Sequence, residues 1–333
     1  MFVDVILTTT QTIPESMWSK HSEQQRCFGI EFIDRVQLVF IIPSHKQCLH
    51  LICSGKKHHY ISDFTGYVNT KVSFIQTPEK ITLILQSAMK LTLVVANKHY
   101  STWPLRAWAL MTHLGIDFEE HVAPLDDLQP GVNLREPWVS LSPTRRFPLL
   151  LIDYDPTSTA APFLIWDSLA IMEFLYETHV AVWPADARAR AFARSAAAEM
   201  HSGFEAVRDV CTGALGLRVE LHPAKKNDPA FQADLTRLSK LIRQGLDTFG
   251  GPFLAGPAFT AADAMYCPVA FRVQTYRIVF DDAAVNAYFE RLRGLDAMRQ
   301  WEQAGLVEPY RLLKYDEHAR QVGTVVEDLR RSA

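Results

Sequence analysis

Three short segments of the chain combine residue types that could bind an anion. The first is residues 100–106, where the hydroxyls of Ser101 and Thr102 stand at a predicted strand-to-helix junction. The second places Pro148 at the start of a predicted strand, and the third places Asp167-Ser168 before a predicted helix. The first turn of a helix offers unpaired amides and a partial positive charge, which stabilise an anion. A serine hydroxyl there can donate to a thiolate or a carboxylate without adding a charge of its own.

Each segment also has an ordinary structural interpretation, and the residues alone leave both interpretations open. Ser101 and the Asp167-Ser168 pair are typical N-cap residues. Pro148 is typical of a turn or an edge strand, and it could also follow a cis peptide bond.

The elements around these segments predict a mixed α/β domain over residues 89–179. Apolar runs predict strands over residues 90–96, 116–123, 147–153 and 163–166. Helical periods predict helices over residues 105–114, 134–140 and 168–177, the first of them ended by Gly115.

A second domain, all-helical, is predicted over residues 186–310 because every apolar pattern there has a helical period. We predict helices over residues 187–210, 230–249, 261–278, 281–292 and 297–304. Thr260 and Asp263 have the spacing of a capping box, and Pro268 should kink the helix that follows. We interpret residues 311–333 as a tail.

The first 88 residues differ in composition from the rest of the chain. They contain one alanine and eleven isoleucines, against 34 alanines and six isoleucines after them. We interpret residues 1–88 as an unassigned extension, either disordered or not normally translated, with Met89 as an alternative start. Short β-prone runs occur at residues 36–42 and 81–85. A cluster in this extension lacks the spacing of a zinc finger, and we predict no metal site from its members, Cys48, His50, Cys53, His58 and His59.

Composition excludes several classes of protein. Lys and Arg (34) nearly balance Asp and Glu (37), so the basic surplus of a nucleic-acid-binding protein is missing. Five cysteines are too few for a disulfide framework. The early apolar run at residues 36–43 is too short to span a bilayer, and no signal-peptide pattern is present. We expect a cytoplasmic protein that binds neither nucleic acid nor membrane.

Together, the three segments resemble the glutathione S-transferase family over residues 90–308. Residues 101–106 are similar to the Ser-Ser-x-Ser-x-Arg segment of serine-type members, including the zeta class of maleylacetoacetate isomerases. Pro148 matches the family's cis-proline, and Asp167-Ser168 matches its acidic-Ser pair. Residues 199–204 and 259–268 look like helical-domain segments of bacterial members. The sequence departs from the family pattern at Trp103, Pro104 and Arg145, which replace a cysteine, a serine and a frequent glycine.

The resemblance implies a fold and a set of site residues. The fold would be a thioredoxin-like α/β domain followed by an all-α domain, in a homodimer. Ser101 would donate to the glutathione sulfur, and Thr102 would be the alternative donor. The main chain of Phe147, before Pro148, would bond the cysteinyl part, while Asp167 and Ser168 would hold the γ-glutamyl end and Arg146 the glycyl end. An electrophile would lie between the domains, against residues that could equally be core: Trp103, His201, Phe204 and Tyr266.

The implied activity is glutathione transfer to a small electrophile, with glutathione as cosubstrate and no metal. One alternative is glutathione-dependent isomerisation of maleylacetoacetate. Another is a non-catalytic binding or scaffold module of the same fold. The set formed by Ser101, Pro148 and Asp167-Ser168 favours an enzyme, because a scaffold has no physical need for an anion-binding helix start beside a hydroxyl. A serine hydrolase or a nucleotide-binding protein is not expected, since the GxSxG, Walker A and GxGxxG motifs are missing.

Overall fold

The computed structural model describes residues 35–42, 47–54, 71–77, 80–86, 90–124, 138–154 and 161–331, without the side chains of the first four ranges and of residues 138 and 139. The chain divides into two compact units, Met1–Met89 and Lys90–Ala333. In the first unit, β1 (Arg35–Ile42) pairs with β2 (Gln47–Ser54), and β3 (Lys71–Thr77) pairs with β4 (Lys80–Gln86). Both pairs are antiparallel, and the two β-prone runs of the sequence lie within them.

The second unit begins with a four-stranded mixed sheet in the order β6-β5-β7-β8. Its strands are β5 (Lys90–Val95), β6 (Glu119–Val122), β7 (Leu149–Asp153) and β8 (Phe163–Trp166). β5 runs parallel to β6 and antiparallel to β7, which in turn runs antiparallel to β8. The inner strand β5 ends in the apolar run Leu93, Val94 and Val95, which is fully buried because β6 and β7 flank the strand and α1 packs against it.

Three helices accompany this sheet: α1 (Trp103–Leu114), α2 (Trp138–Leu141) and α3 (Ser168–Tyr176). As predicted, α1 ends at Gly115, whose φ of 65° lies in the left-handed region that glycine adopts without strain. β6 is shorter than the predicted strand because the chain first closes the helix end, where the Ile116 amide donates to the Met111 carbonyl. The helix predicted over residues 134–140 is observed from Trp138, and residues 134–137 lie outside the described ranges.

The second domain is built from helices, as predicted. They are α4 (Ala187–Ser202), α5 (Glu205–Val210), α6 (Pro223–Lys226), α7 (Pro229–Phe249), α8 (Ala261–Thr275), α9 (Ala283–Arg293), α10 (Asp296–Val307) and α11 (Leu313–Val322). α8 lies at the centre and packs against α1, α4 and α9, so that nearly all of its residues are buried. None of the helices in the described ranges is long and apolar enough to cross a bilayer.

The start of α8 has the capping box that the sequence predicts. The Asp263 carboxylate accepts from the Thr260 amide at 3.0 Å, and also from the Leu254 amide at 2.8 Å and the Tyr288 hydroxyl at 3.1 Å. Pro268 lies inside α8, as expected.

The helical domain also contains a two-stranded ribbon, whereas the sequence predicted helices alone. β9 (Leu217–Leu221) pairs antiparallel with β10 (Gly323–Asp328), which lies in the segment interpreted as a tail. The predicted helix over residues 187–210 is also two helices, because Phe204 between α4 and α5 adopts a φ of 55°.

Candidate functional site

The start of α1 lies at the contact between the sheet domain and the helical domain. Ser101 is half-buried, and its amide donates to the Asn97 carbonyl at 2.8 Å. Thr102 is the N-cap residue of α1, but its side chain makes no capping hydrogen bond. Instead, its hydroxyl accepts from Nη2 of Arg272 on α8 at 3.2 Å. Both hydroxyls that the sequence singled out are therefore beside the first turn, where a helix attracts an anion.

Ser101, Thr102 and Arg272 line one small cavity, together with Gly213, Phe271 and Trp301. The segment between α5 and β9 also lines this cavity, and it packs against the loop before α1. The Leu215 amide donates to the His99 carbonyl at 3.1 Å. A Cβ at Gly213 would lie 2.0 Å from the Tyr100 carbonyl oxygen, so only glycine allows this approach.

Two arginines bring positive charge to Trp103, beside the contact between Thr102 and Arg272. Arg106 is only 3% exposed, its guanidinium lies 4.0 Å over the Trp103 ring, and its Nε and Nη1 have no partner within the described ranges. Burial, together with the nearby charges of Arg272 and Arg208, lowers the pKa of Arg106 to about 9, against the opposing effect of Asp167. The Arg208 guanidinium lies 5.8 Å from the same ring.

The segment before β7 has the cis peptide that the resemblance implies. The Phe147-Pro148 bond is cis, and Phe147 is half-buried against the sheet. The Ser142 hydroxyl accepts from the Arg146 amide and donates to the Arg146 carbonyl, both at 3.0 Å. Arg145, which stands where the family often has glycine, adopts a left-handed φ of 54°. The Arg146 side chain is exposed beside this turn.

The Asp167-Ser168 pair lies at the start of α3, where Asp167 is the N-cap residue. One Asp167 oxygen caps the helix, accepting from the Leu169 amide at 2.8 Å and from the Ala170 amide at 3.4 Å. The other lies 2.7 Å from Nε2 of His201. Burial opposes ionisation of Asp167, but the His201 contact and the amides outweigh it and lower its pKa. The Ser168 hydroxyl is fully buried and has no partner among the described residues.

The four residues proposed for an electrophile do not form one surface. Trp103 and His201 are half-buried and in contact, with ring centroids 5.3 Å apart. Phe204 is buried at the junction of α4 and α5. Tyr266 is fully buried in α8, where its hydroxyl donates to the Ala196 carbonyl at 3.0 Å and burial raises its pKa. Tyr266 is therefore a core residue, which was one of the two interpretations of the sequence.

Sequence reasoning missed Arg272 and the role of Arg106. Arg106 was visible only as part of a motif, while Arg272 is a single charge in the apolar stretch of residues 269–273. A lone arginine in a helix that is otherwise buried was the available signal, because such a charge needs a reason to be buried.

Within the described ranges, no group of three His, Cys, Asp or Glu side chains could hold a metal ion. Of the cluster in the first unit, Cys48, His50 and Cys53 fall on β2, whose side chains are not described. His58 and His59 lie outside the described residues.

Comparison with known proteins bears directly on this arrangement. Residues 100–178, from the loop before α1 to the end of α3, match the family model described as "Glutathione S-transferase, N-terminal domain". The resemblance to the glutathione S-transferase family is confirmed. The fold agrees with it, since a thioredoxin-like domain followed by a helical domain is the glutathione S-transferase architecture. No curated protein matches the chain.

Several solved glutathione S-transferase structures are similar to the chain at low identity. A trimeric glutathione transferase from Leishmania is 14% identical with a TM-score of 0.51, over 70% of this chain and 49% of that protein. A glutathione transferase homologue from Burkholderia, with bound glutathione, is 23% identical with a TM-score of 0.46, over 65% of this chain and 98% of that protein. A maleylacetoacetate isomerase from Anaeromyxobacter dehalogenans is 19% identical with a TM-score of 0.45, over 65% of this chain and 92% of that protein. At these identities the similarity concerns the fold.

Proposed function

We propose that the chain is a glutathione transferase, which ionises the glutathione thiol and directs it at a small electrophile. The observation that carries the proposal is the start of α1, where the Ser101 and Thr102 hydroxyls stand beside buried guanidinium charge. A free thiol has a pKa of about 8.5, so a site that stabilises the thiolate raises its population at neutral pH. Each pKa unit corresponds to about 1.4 kcal/mol.

The other site residues bind and orient the tripeptide. The main chain of Phe147, before the cis bond to Pro148, bonds the cysteinyl part. The Ser168 hydroxyl at the start of α3, which has no partner among the described residues, donates to the γ-glutamyl carboxylate, and Asp167 faces the γ-glutamyl ammonium. Arg146, which is exposed in the turn between Ser142 and Pro148, attracts the glycyl carboxylate.

In the reaction, the bound thiol releases its proton to solvent, and the thiolate sulfur forms a bond to an electrophilic carbon. Ser101 donates to the sulfur before this step, which keeps the thiolate populated. Trp103 and His201, in contact across the domain junction, form one wall for the electrophile. We propose a homodimer located in the cytoplasm.

A second candidate is glutathione-dependent isomerisation of maleylacetoacetate. The positive charge of Arg106 and Arg208 at the Trp103 ring and of Arg272 at Thr102 favours an electrophile that carries carboxylates. Addition of the thiolate turns the double bond into a single bond that can rotate, and elimination then releases the thiolate unchanged. Trp103 replaces the cysteine of the zeta-class pattern, which is why transfer remains the first proposal.

The test is a pH titration of bound glutathione, followed by the ultraviolet absorbance of its thiolate. In the unmodified protein we expect a thiol pKa below about 8.5. Ser101→Ala should return it towards that value and lower turnover far more than glutathione affinity. Ser195→Ala is the matched control, because Ser195 is exposed on α4 and only donates to the Ala191 carbonyl. Equal turnover in Ser101→Ala would refute its role, and failure to bind glutathione would favour the scaffold alternative.

A further inference from the structure

Arg272 is a buried cation that has no carboxylate among its hydrogen-bond partners in the described ranges. It is 8% exposed, and its guanidinium donates to the carbonyl oxygens of Cys211 and Arg208 and to the Thr102 hydroxyl. Each of these acceptors is uncharged. Burial lowers the pKa of Arg272, and the charge of Arg208 lowers it further. Burying a charge is costly unless a counter-ion compensates, and none of the described residues bonded to Arg272 is an anion, so this position favours a bound anion.

The contact with Thr102 directs this charge to the start of α1. Thr102 is the N-cap residue of α1, and its hydroxyl accepts from Nη2 of Arg272 at 3.2 Å. A hydroxyl has one hydrogen to donate and two lone pairs, so Thr102 keeps its hydrogen for another acceptor. Because it accepts from a cation, the same hydroxyl is a better donor to an anion.

Arg106 on α1 is a second buried arginine, and its guanidinium lies 4.0 Å over the Trp103 ring. Nε and Nη1 of Arg106 have no partner within the described ranges, although the side chain is almost fully buried. The charge of Arg272 contributes to lowering the pKa of Arg106. The amides of the first turn of α1 and the Thr102 hydroxyl, which accepts from Arg272, therefore lie at the same helix start.

We propose that Arg272 is the counter-ion of the glutathione thiolate and acts on it through the Thr102 hydroxyl. The inference rests on the proposed function, and it assigns Arg272 as a positioning residue on a helix that the family resemblance does not connect to the thiol. When the bound thiol ionises, its proton leaves to solvent, and the thiolate supplies the negative charge that Arg272 lacks. Ser101 and Thr102 then donate to the sulfur together.

The variants must separate this role from simple packing, because Arg272 also holds the carbonyls of Cys211 and Arg208. Thr102→Val removes the hydroxyl and leaves Arg272 and its carbonyl contacts in place. Thr102→Ser keeps the hydroxyl and is its matched control. Arg272→Met removes the charge, and Arg272→Lys retains it.

Two measurements are made on the full chain. The first is the thiol pKa of bound glutathione. The second compares binding of glutathione sulfonate, which carries a permanent anion at the position of the sulfur, with binding of S-methylglutathione, which carries no charge there. Thr102→Val and Arg272→Met should raise the thiol pKa by about one unit, which is a tenfold loss of thiolate, and weaken glutathione sulfonate about tenfold. S-methylglutathione should bind as before, and Thr102→Ser and Arg272→Lys should stay near the unmodified protein.

The outcomes distinguish this inference from the proposed function. If the unmodified protein lowers the thiol pKa but Thr102→Val does not change it, the function stands and the Arg272 inference is overturned. An equal loss of S-methylglutathione and glutathione sulfonate would make the role structural and would also overturn it. If the unmodified protein binds neither glutathione nor its analogues, both proposals fail. If Arg272→Met does not fold, Thr102→Val decides.

Discussion

The contact between Asp167 and His201 bears on how the γ-glutamyl end of glutathione would be recognised. One carboxylate oxygen of Asp167 already caps α3, and the other lies 2.7 Å from His201. An ammonium group that approaches Asp167 must therefore share the second oxygen with an imidazole. Asp167 both caps α3 and contacts His201, and both interactions lower the pKa of its carboxyl group.

Asp167→Ala should raise the apparent KM for glutathione about tenfold, as expected for one lost charge-assisted hydrogen bond, and leave kcat nearly unchanged. Asp167→Asn keeps a capping oxygen and loses the charge, so its KM should rise less. Steady-state kinetics with varied glutathione measures both. Asp186→Ala is the control, because Asp186 caps α4 in the same way, accepting from the Ala189 amide at 2.8 Å. An unchanged KM in Asp167→Ala would move the γ-glutamyl end elsewhere.

At the scale of residues, the sequence predicted the local roles and missed the distant ones. Asp167 could be assigned as a cap because its partners lie two and three residues away. The Thr102 contact with Arg272 spans 170 residues, and the Asp167 contact with His201 spans 34. No local pattern encodes such distances, because they depend on how α8 and α4 pack against the sheet domain.

Among the elements, the end of α10 holds the loop that leads into α1. Glu308 follows α10, and its two carboxylate oxygens accept from the Lys98 amide at 2.8 Å and the His99 amide at 3.0 Å. Trp301 on α10 donates to the Lys98 carbonyl at 3.0 Å. Burial raises the pKa of Glu308 to about 7, with a contribution from Glu120, although the two amides and the Lys98 charge oppose it.

This raised pKa predicts a stability that falls as pH rises. Between its ordinary value of 4.5 and about 7, Glu308 holds a proton more readily in the folded chain than in the unfolded chain. The contribution of protonated Glu308 to the free energy of unfolding is complete below pH 4.5 and is lost as the pH rises through about 7. From pH 5 to 8, the unmodified protein should lose about 2 kcal/mol more unfolding free energy than Glu308→Gln.

Urea unfolding at pH 5, 6, 7 and 8 measures this difference. Glu317→Gln is the matched control, because Glu317 is exposed on α11 and should leave the pH profile of the unmodified protein unchanged. Parallel profiles for Glu308→Gln and the unmodified protein would contradict the prediction.

Elements with a long apolar period were predictable, and those set by distant pairing were not. The predicted helix over residues 230–249 is observed as α7, Pro229–Phe249, because a long amphipathic pattern identifies its own buried face. β9 and β10 are short, and each is stabilised by a partner about 100 residues away in the chain. The break between α4 and α5 is at Gly203, the C-cap residue of α4, and the left-handed Phe204; the Ser202-Gly203 pair was its sequence signal.

For the whole molecule, the last described residues return to the loop before Ser101. The Arg330 guanidinium contacts Asp316 at 2.7 Å and the Tyr100 hydroxyl at 3.0 Å, and Tyr100 donates to Asp316 at 3.1 Å. The Leu329 amide donates to the Gly216 carbonyl at 2.8 Å. The segment interpreted as a tail is thus part of the second unit, where it surrounds the residues that position α1.

A chain that begins at Met89 should keep both the midpoint of thermal unfolding and the glutathione affinity of the full chain. The reason is that β5 starts at Lys90, and both of its sheet neighbours, β6 and β7, belong to the second unit. As a comparison, a chain that ends before β10 loses Arg330 and leaves the buried Asp316 charge unpaired, which should cost about 3–5 kcal/mol. Thermal unfolding and glutathione binding of the three chains measure this contrast. If the chain from Met89 aggregated or lost glutathione affinity while the full chain did not, the first unit would be needed for the folded protein.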